Sequence, residues 1–149
     1  MIGRDLYNRL SYGRAISPIT LTNVDTAQVG QWNDMADLIG LVYVIDIGAL
    51  TDADATFTVL VEESDDQSTI TAVADIDLLP QPNNTVSTAP EALASFTFAA
   101  DDTVKAIGYV GIKRYARITI TPSGNGAGAA SFSAVAVGMP RARGNVTGS

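Results

Sequence analysis

Apolar and polar positions alternate along most of the chain in short runs. In Arg114–Thr121, Ala116, Ile118 and Ile120 fall on one face, with Tyr115, Arg117, Thr119 and Thr121 on the other. Ser131–Met139 repeats the pattern, with Ser133, Val135, Val137 and Met139 opposing Phe132, Ala134 and Ala136. A period of two puts successive side chains on opposite faces of a pleated strand, so both stretches predict half-buried strands. Between them PSGNGAG (122–128) lacks packing side chains, and its glycines tolerate positive φ. The segment 105–143 therefore predicts a core hairpin closed by a glycine-rich turn.

The same alternation recurs upstream. Thr56–Glu63 sends Phe57, Val59 and Val61 to one face and Thr56, Thr58, Leu60 and Glu62 to the other. Leu38–Leu50 is the longest apolar run and is β-branched enough to predict a central strand. Further short strands are predicted at Pro18–Thr22, Ala27–Trp32, Ala94–Ala99 (with Phe96 and Phe98 on one face) and Lys105–Val110. Asn33–Asp34, Thr51–Ala55, Ser64–Ser68 and Asp101–Asp102 read as turns, and Pro80–Pro90 as a long loop rich in breakers. Thr69–Leu79 fits a strand or a short helical piece equally well. About eight short strands, spaced at intervals of about 8–12 residues, predict an all-β fold: a single antiparallel β-sandwich or barrel-like domain. The predicted division is an N-terminal arm at 1–16, the β-domain at 17–140 and a C-terminal tail at 141–149. In the arm, Leu6 and Leu10 have the spacing of one short helix, although an extended arm fits as well.

Composition narrows the chemistry. The 149 residues suffice for one domain with a real core, and 46% apolar against 17% charged residues excludes a disordered chain. With no histidine and no cysteine, Ser-His-Asp and Cys-His catalysis, thiolate metal sites and disulfides are all excluded. No apolar run reaches the ~18 residues of a membrane-spanning helix. The charges in MIGRDLYNRLSYGR occupy the place of a signal peptide's apolar region, so no secretion signal is expected.

Charge is partitioned. Arg4, Arg9 and Arg14 stand against Asp5 in residues 1–14; residues 15–104 hold fifteen acids and no base; residues 105–149 hold six bases and no acid. Opposite segments could neighbour each other within one fold. Alternatively, cationic ends could engage an acidic surface on another subunit. The acidic body argues against nucleic acid as a partner, since it would repel phosphate.

Specific sites are weakly signalled. Asp52 with Asp54, Glu62 with Asp65 and Asp66, Asp75 with Asp77, and Asp101 with Asp102 could face a cation, but none has EF-hand spacing. Aspartates in turns more commonly bond the turn backbone. No carboxylate pair is singled out for glycoside hydrolysis. SGNGAG lacks the Lys-Ser/Thr of a phosphate loop. Trp32, Tyr109 and Tyr115 with Arg114 and Arg117 could form a stacking platform, but such residues on strands are more commonly half-buried sheet residues. No catalytic residue, metal ligand or cofactor site is therefore expected.

ADATFTVLVEESDD, TAVADIDLL, ADDTVKAIGYVGIKRYARITITPSGN and SFSAVAVGMPR, with RDLYNRLSYGRAISP and TAQV before them, carry a family likeness. Together they resemble the capsid decoration, or cement, proteins of tailed bacteriophages and prophages, over roughly residues 4–141. IGYVGIKRYARITIT is the most distinctive element. The motif concerns fold, so it transfers a structural role and not a site. The resemblance implies a non-enzymatic virion protein on the capsid exterior, made in the bacterial host cytoplasm. Its implied partners are the major capsid protein and copies of itself, as a homotrimer or other homo-oligomer, with no nucleic acid and no membrane. Interface residues expected on this basis are Arg4, Leu6, Tyr7, Arg9, Leu10 and Arg14, then Arg114, Tyr115 and Arg117, then Arg141 and Arg143. A virion-displayed carbohydrate-binding β-sandwich and a tail or head–tail connector component are the alternatives. The first would show an exposed aromatic pair beside PQPNNTVSTAP.

Overall fold

The computed structural model describes residues 6–80 and 89–141. Arg4, Arg143 and most of the breaker-rich loop lie outside the described residues, as does the tail beyond Arg141. The chain folds as an antiparallel β-sandwich of two sheets, five- and six-stranded. In chain order the strands are β1 (Ser11–Thr22), β2 (Gln28–Val29), β3 (Asn33–Asp34), β4 (Leu38–Leu50), β5 (Thr56–Ser64) and β6 (Thr71–Ala72). They continue with β7 (Leu78–Pro80), a short helix α1 (Pro90–Ala94), β8 (Phe96–Thr97), β9 (Val104–Tyr109), β10 (Tyr115–Ser123) and β11 (Ala129–Pro140). The five-stranded sheet runs β1-β11-β4-β9-β7. The other runs β2-β10-β5-β6, with β3 also on β10 and β8 also on β5.

The core lies between the sheets and is built from the faces the alternation assigns. Ala116, Ile118 and Ile120 of β10, Phe57, Val59 and Val61 of β5, and Tyr43, Ile45 and Ile47 of β4 are buried. Phe57 stacks on Phe96 with ring centroids 4.7 Å apart, and Phe132 meets both edge-on. Such aromatic pairing adds to the burial of the rings themselves. Burial pushes the phenols of Tyr43 and Tyr109 well above the usual tyrosine range. The Tyr109 hydroxyl donates to Glu63 Oε2 at 2.8 Å.

Several expectations change. β10 and β11 do not pair with each other: β10 lies between β5 and β2, and β11 between β1 and β4. PSGNGAG is therefore an arch crossing from one sheet to the other, not a hairpin turn. Fully buried Asn125 anchors it, its Nδ2 donating to Val24 O at 3.1 Å and Leu21 O at 3.4 Å. The Asp25 carboxylate accepts the Gly124 and Asn125 N–H groups, and Asp52 Oδ2 accepts that of Ala127. Gly124 takes the left-handed φ of 76° that glycine tolerates.

The arm is shorter than expected. Sheet pairing begins at Ser11, opposite Gly138, with a 3-10 turn at Tyr7–Arg9 before it among the described residues. Register shifts flank Ile16 in β1, and Pro18 falls in the second, where no ladder donor is needed. Asn33–Asp34 pairs with β10 and is not a turn. Thr69–Leu79 holds both readings in succession: β6, a 3-10 turn at Asp75–Asp77, then β7. Phe96 and Phe98 do not share a face, because a 3-10 turn at Phe98–Ala100 turns Phe98 outward while Phe96 is buried.

Candidate functional site

The cationic segment is largely neutralised inside the fold. Arg117 lies opposite Glu62 in the β10–β5 ladder, and its Nε donates to Glu62 Oε2 at 2.8 Å, both side chains being only 17% exposed. Its guanidinium also lies 4.4 Å from the Trp32 ring centroid, and Thr119 Oγ1 donates to the same carboxylate oxygen. Arg114 pairs with Asp34 at 3.1 Å and lies over the Tyr115 ring; Lys113 pairs with Asp65. These hydrogen bonds hold the Asp34 and Asp65 carboxyls below their ordinary range. Lys105 Nζ donates to the carbonyls of Leu93 and Ser95. Of the two readings of the charge partition, juxtaposition within one fold thus accounts for Lys113, Arg114 and Arg117.

Arg9, Arg14 and Arg141 differ, having no ion pair among the described residues. Arg9 precedes β1 and Arg141 follows β11 at the end where Ser11 pairs with Gly138. With exposed Leu6 and Tyr7 they form a cationic, partly apolar corner. Leu10 sits half-buried at the entry to β1.

Asp52, Asp66 and Asp101 of the acidic pairs accept backbone N–H groups. Asp66 accepts the N–H groups of Ser68 and Thr69 and the hydroxyls of Ser64 and Thr69. Those bonds hold its carboxyl down to about 2. Asp52 Oδ1 caps Asp54 N, and Asp101 Oδ1 accepts Leu50 N at 2.6 Å. Among the described residues no three acids cluster so as to hold a metal ion.

What stands out is the outer face of the five-stranded sheet. An outward-facing sheet surface in water is ordinarily polar. Here Val135, Val137 and Met139 of β11 lie opposite Val44, Val42 and Gly40 of β4. Tyr12 of β1 faces Val137, while Ala106 and Gly108 of β9 face Val44 and Val42. Leu79 of β7 lies across Gly108, its Cβ 3.0 Å from where a Cβ on that glycine would sit. Tyr12 is 57% exposed, Leu79 53% and Met139 48%, so nothing among the described residues covers them. The two charges on this face are Arg14, opposite Val135, and Asp46, opposite Ser133 and Val104. At the far end Thr20 and Ser131 share a hydroxyl–hydroxyl bond of 2.9 Å. Where β1 bulges, a shallow open hollow of about 300 Å3 lies between Tyr12, Arg14, Pro18 and Val135.

Of the residues expected at an interface, Arg9, Arg14, Leu6, Tyr7 and Arg141 are exposed near this face, while Arg114, Tyr115 and Arg117 belong to the other sheet. The apolar face itself was not anticipated. Its signal is present in the sequence: Leu38–Leu50 is apolar on both faces, and Val135, Val137 and Met139 lie opposite a face already filled by Phe132, Ala134 and Ala136. A strand apolar on both faces needs cover on both.

Comparison with known proteins adds little. No protein-family model and no curated protein matches the chain. One similar solved structure is that of the Clostridium thermocellum N-terminal endo-1,4-β-D-xylanase 10B CBM22-1–GH10 modules complexed with xylohexaose. It is 11% identical with a TM-score of 0.40, over 96% of this chain and 28% of that one. A likeness at that level carries no argument about this chain.

Proposed function

We propose that this chain is a structural virion protein that binds the outer surface of a phage capsid and stabilises the expanded shell. The observation that carries the reading is the apolar outer face of the five-stranded sheet. Contiguous exposed apolar surface beyond a few hundred Å2 marks a site of association or ligand binding. The sequence resemblance to capsid decoration proteins gives that association its setting. The cationic residues Arg9, Arg14 and Arg141, unpaired among the described residues, provide a further surface suited to acidic groups on a partner subunit. A protein that binds only the expanded shell stabilises that state by mass action, without chemistry of its own.

The carbohydrate-binding alternative calls for an exposed aromatic pair beside the 80–90 loop. Among the described residues near it, Phe98 is exposed alone and Phe96 is buried. Co-sedimentation of the purified protein with expanded and unexpanded empty heads tests the proposal. Saturable binding to expanded heads at a fixed ratio to coat protein is the expected result. Absence of binding to either form overturns it.

A further inference from the structure

We infer that α1 guards the open side of β5: it closes that edge with two side chains in place of a strand, and so keeps β5 from pairing with another chain. The inference goes beyond association with a shell and concerns the six-stranded sheet. It turns on three features: a gap in the pairing of β5, the way Glu91 and Ser95 fill it, and the sequence of the strand behind them.

On one side β5 pairs with β10 along its whole length, Thr56–Ser64 against Tyr115–Ser123. On the other it is covered piecemeal. β8 reaches Thr56 and Phe57, β6 reaches Glu62 and Glu63, and Val73 donates its N–H to Val61 O just beyond β6. Among the described residues no strand meets the N–H groups of Val59 and Val61, and unmet donors on a strand edge are a template for another strand. α1 fills the gap. Ser95 Oγ accepts the Val59 N–H at 2.9 Å, and Glu91 Oε1 accepts that of Val61 at 2.6 Å. The spacing explains why a helical turn can do this: four residues of helix rise about 6 Å, and alternate donors on a strand lie about 6.8 Å apart. The turn is itself fixed, since Ser95 donates both its N–H and its hydroxyl to Glu91 O, each at 2.8 Å. Lys105 of β9, in the five-stranded sheet, holds Leu93 O and Ser95 O from the far side, and Pro90 and Ala94 are buried beneath. The guard is thus strapped between the two sheets.

Behind the guard lies Thr56–Val61, TFTVLV. It holds no charge, proline or glycine, and its nearest charges, Asp54 and Glu62, flank it without interrupting it. Uncharged, β-prone segments of about six residues are the ones that stack into cross-β assemblies once an edge is free to recruit them. Strand edges are ordinarily blunted by a charge, a proline or a bulge in the strand itself. β5 has none of these over Thr56–Val61, where its register against β10 is unbroken. Protection falls to α1 instead.

The test is amide hydrogen exchange of the full chain, read residue by residue by NMR, with circular dichroism confirming that each variant folds. Glu91→Ala should speed exchange at Val61 by about tenfold or more, and Ser95→Ala should do so at Val59, while Ile118 and Ile120 of β10 keep their wild-type rates. Glu91→Gln, whose side-chain carbonyl still accepts, should keep Val61 protected. The double variant Glu91→Ala/Ser95→Ala should come to bind thioflavin T on standing, where wild type does not. Adding Thr58→Lys, which sets a charge on the outer face of the same stretch, should suppress that binding. Should the double variant unfold, the single variants carry the same dye test, each with one amide uncovered. Val59 and Val61 amides that stay protected in the alanine variants overturn the inference. So does a folded double variant that never binds the dye, or dye binding that Thr58→Lys leaves unchanged.

Discussion

Arg117 is the residue on which a fold role and an interface role diverge most sharply. If it serves the fold, Arg117→Ala must cost stability in proportion to what the side chain touches. Its Nε bond to Glu62 is charge-assisted and largely shielded, with both side chains 17% exposed. Such a bond contributes about 1.5–3 kcal/mol. The guanidinium over Trp32, 4.4 Å from the ring centroid, adds about 1 kcal/mol. Removing the cation also strands the Glu62 carboxylate, although Thr119 Oγ1, at 3.1 Å, still donates to it. That residual donor keeps the penalty below the ~3–5 kcal/mol of a fully buried orphan charge. The expected loss is therefore about 3 kcal/mol, or a fall in Tm of about 10 °C for a chain of this length. Urea denaturation followed by tryptophan fluorescence measures it, since Trp32 is the sole tryptophan. A double-mutant cycle with Glu62→Ala should return a coupling of about 2 kcal/mol. A loss under about 0.5 kcal/mol with no coupling would refute the reasoning, because only an unformed or freely solvated pair behaves so.

Two further outcomes are expected. Asn125→Ala should cost about 1–3 kcal/mol, because the buried carbonyl of Leu21 and the part-buried one of Val24 lose their donor; an unfolding free energy changed by less than about 0.5 kcal/mol would mean the arch does not depend on that side chain. Asp66 has its folded pKa lowered from 3.8 to about 2, so its contribution is present above the unfolded value and is lost as pH falls through the folded one. Asp66→Asn should accordingly lower Tm at pH 7, with the gap to wild type shrinking as pH falls through the range between 3.8 and about 2, and a difference that persists undiminished at low pH would contradict the assignment.

The alternating period made the long strands legible, because it reports which face each side chain takes. β5, β10 and β11 were readable for that reason, β4 from the length and β-branching of its apolar run, and the number and spacing of strands pointed to a sandwich or barrel. The period says nothing about which strand lies alongside, so the connection through Asn125 reads equally well as a hairpin or as an arch. Gly13 and Ala15, small residues facing inward between outward Tyr12 and Arg14, made the start of β1 look like a polar arm. Phe98 was misplaced because a 3-10 turn breaks the period after two strand residues. Arg117 could not be assigned either way, since its partners Glu62 and Trp32 are distant in sequence and come together only through the sheet. The apolar outer face was written in β4 and β11, but a run of valines does not say whether its second face meets solvent, a partner or the chain itself.

The strand that holds the five-stranded sheet together, β11, is also the last of the described strands to be synthesised. It lies between β1 and β4, the partners it separates, and joins the first described strand to the last. Until the ribosome has released it, β1 has no neighbour in its sheet and β4 shows apolar surface on both sides. Pairings between such distant parts of a chain form slowly, and waiting strands are open to wrong partners. Nascent chains on one message would thus be most prone to associate before β11 emerges, and a ribosome stalled shortly before β11 would leave an aggregation-prone fragment, not a partly working protein.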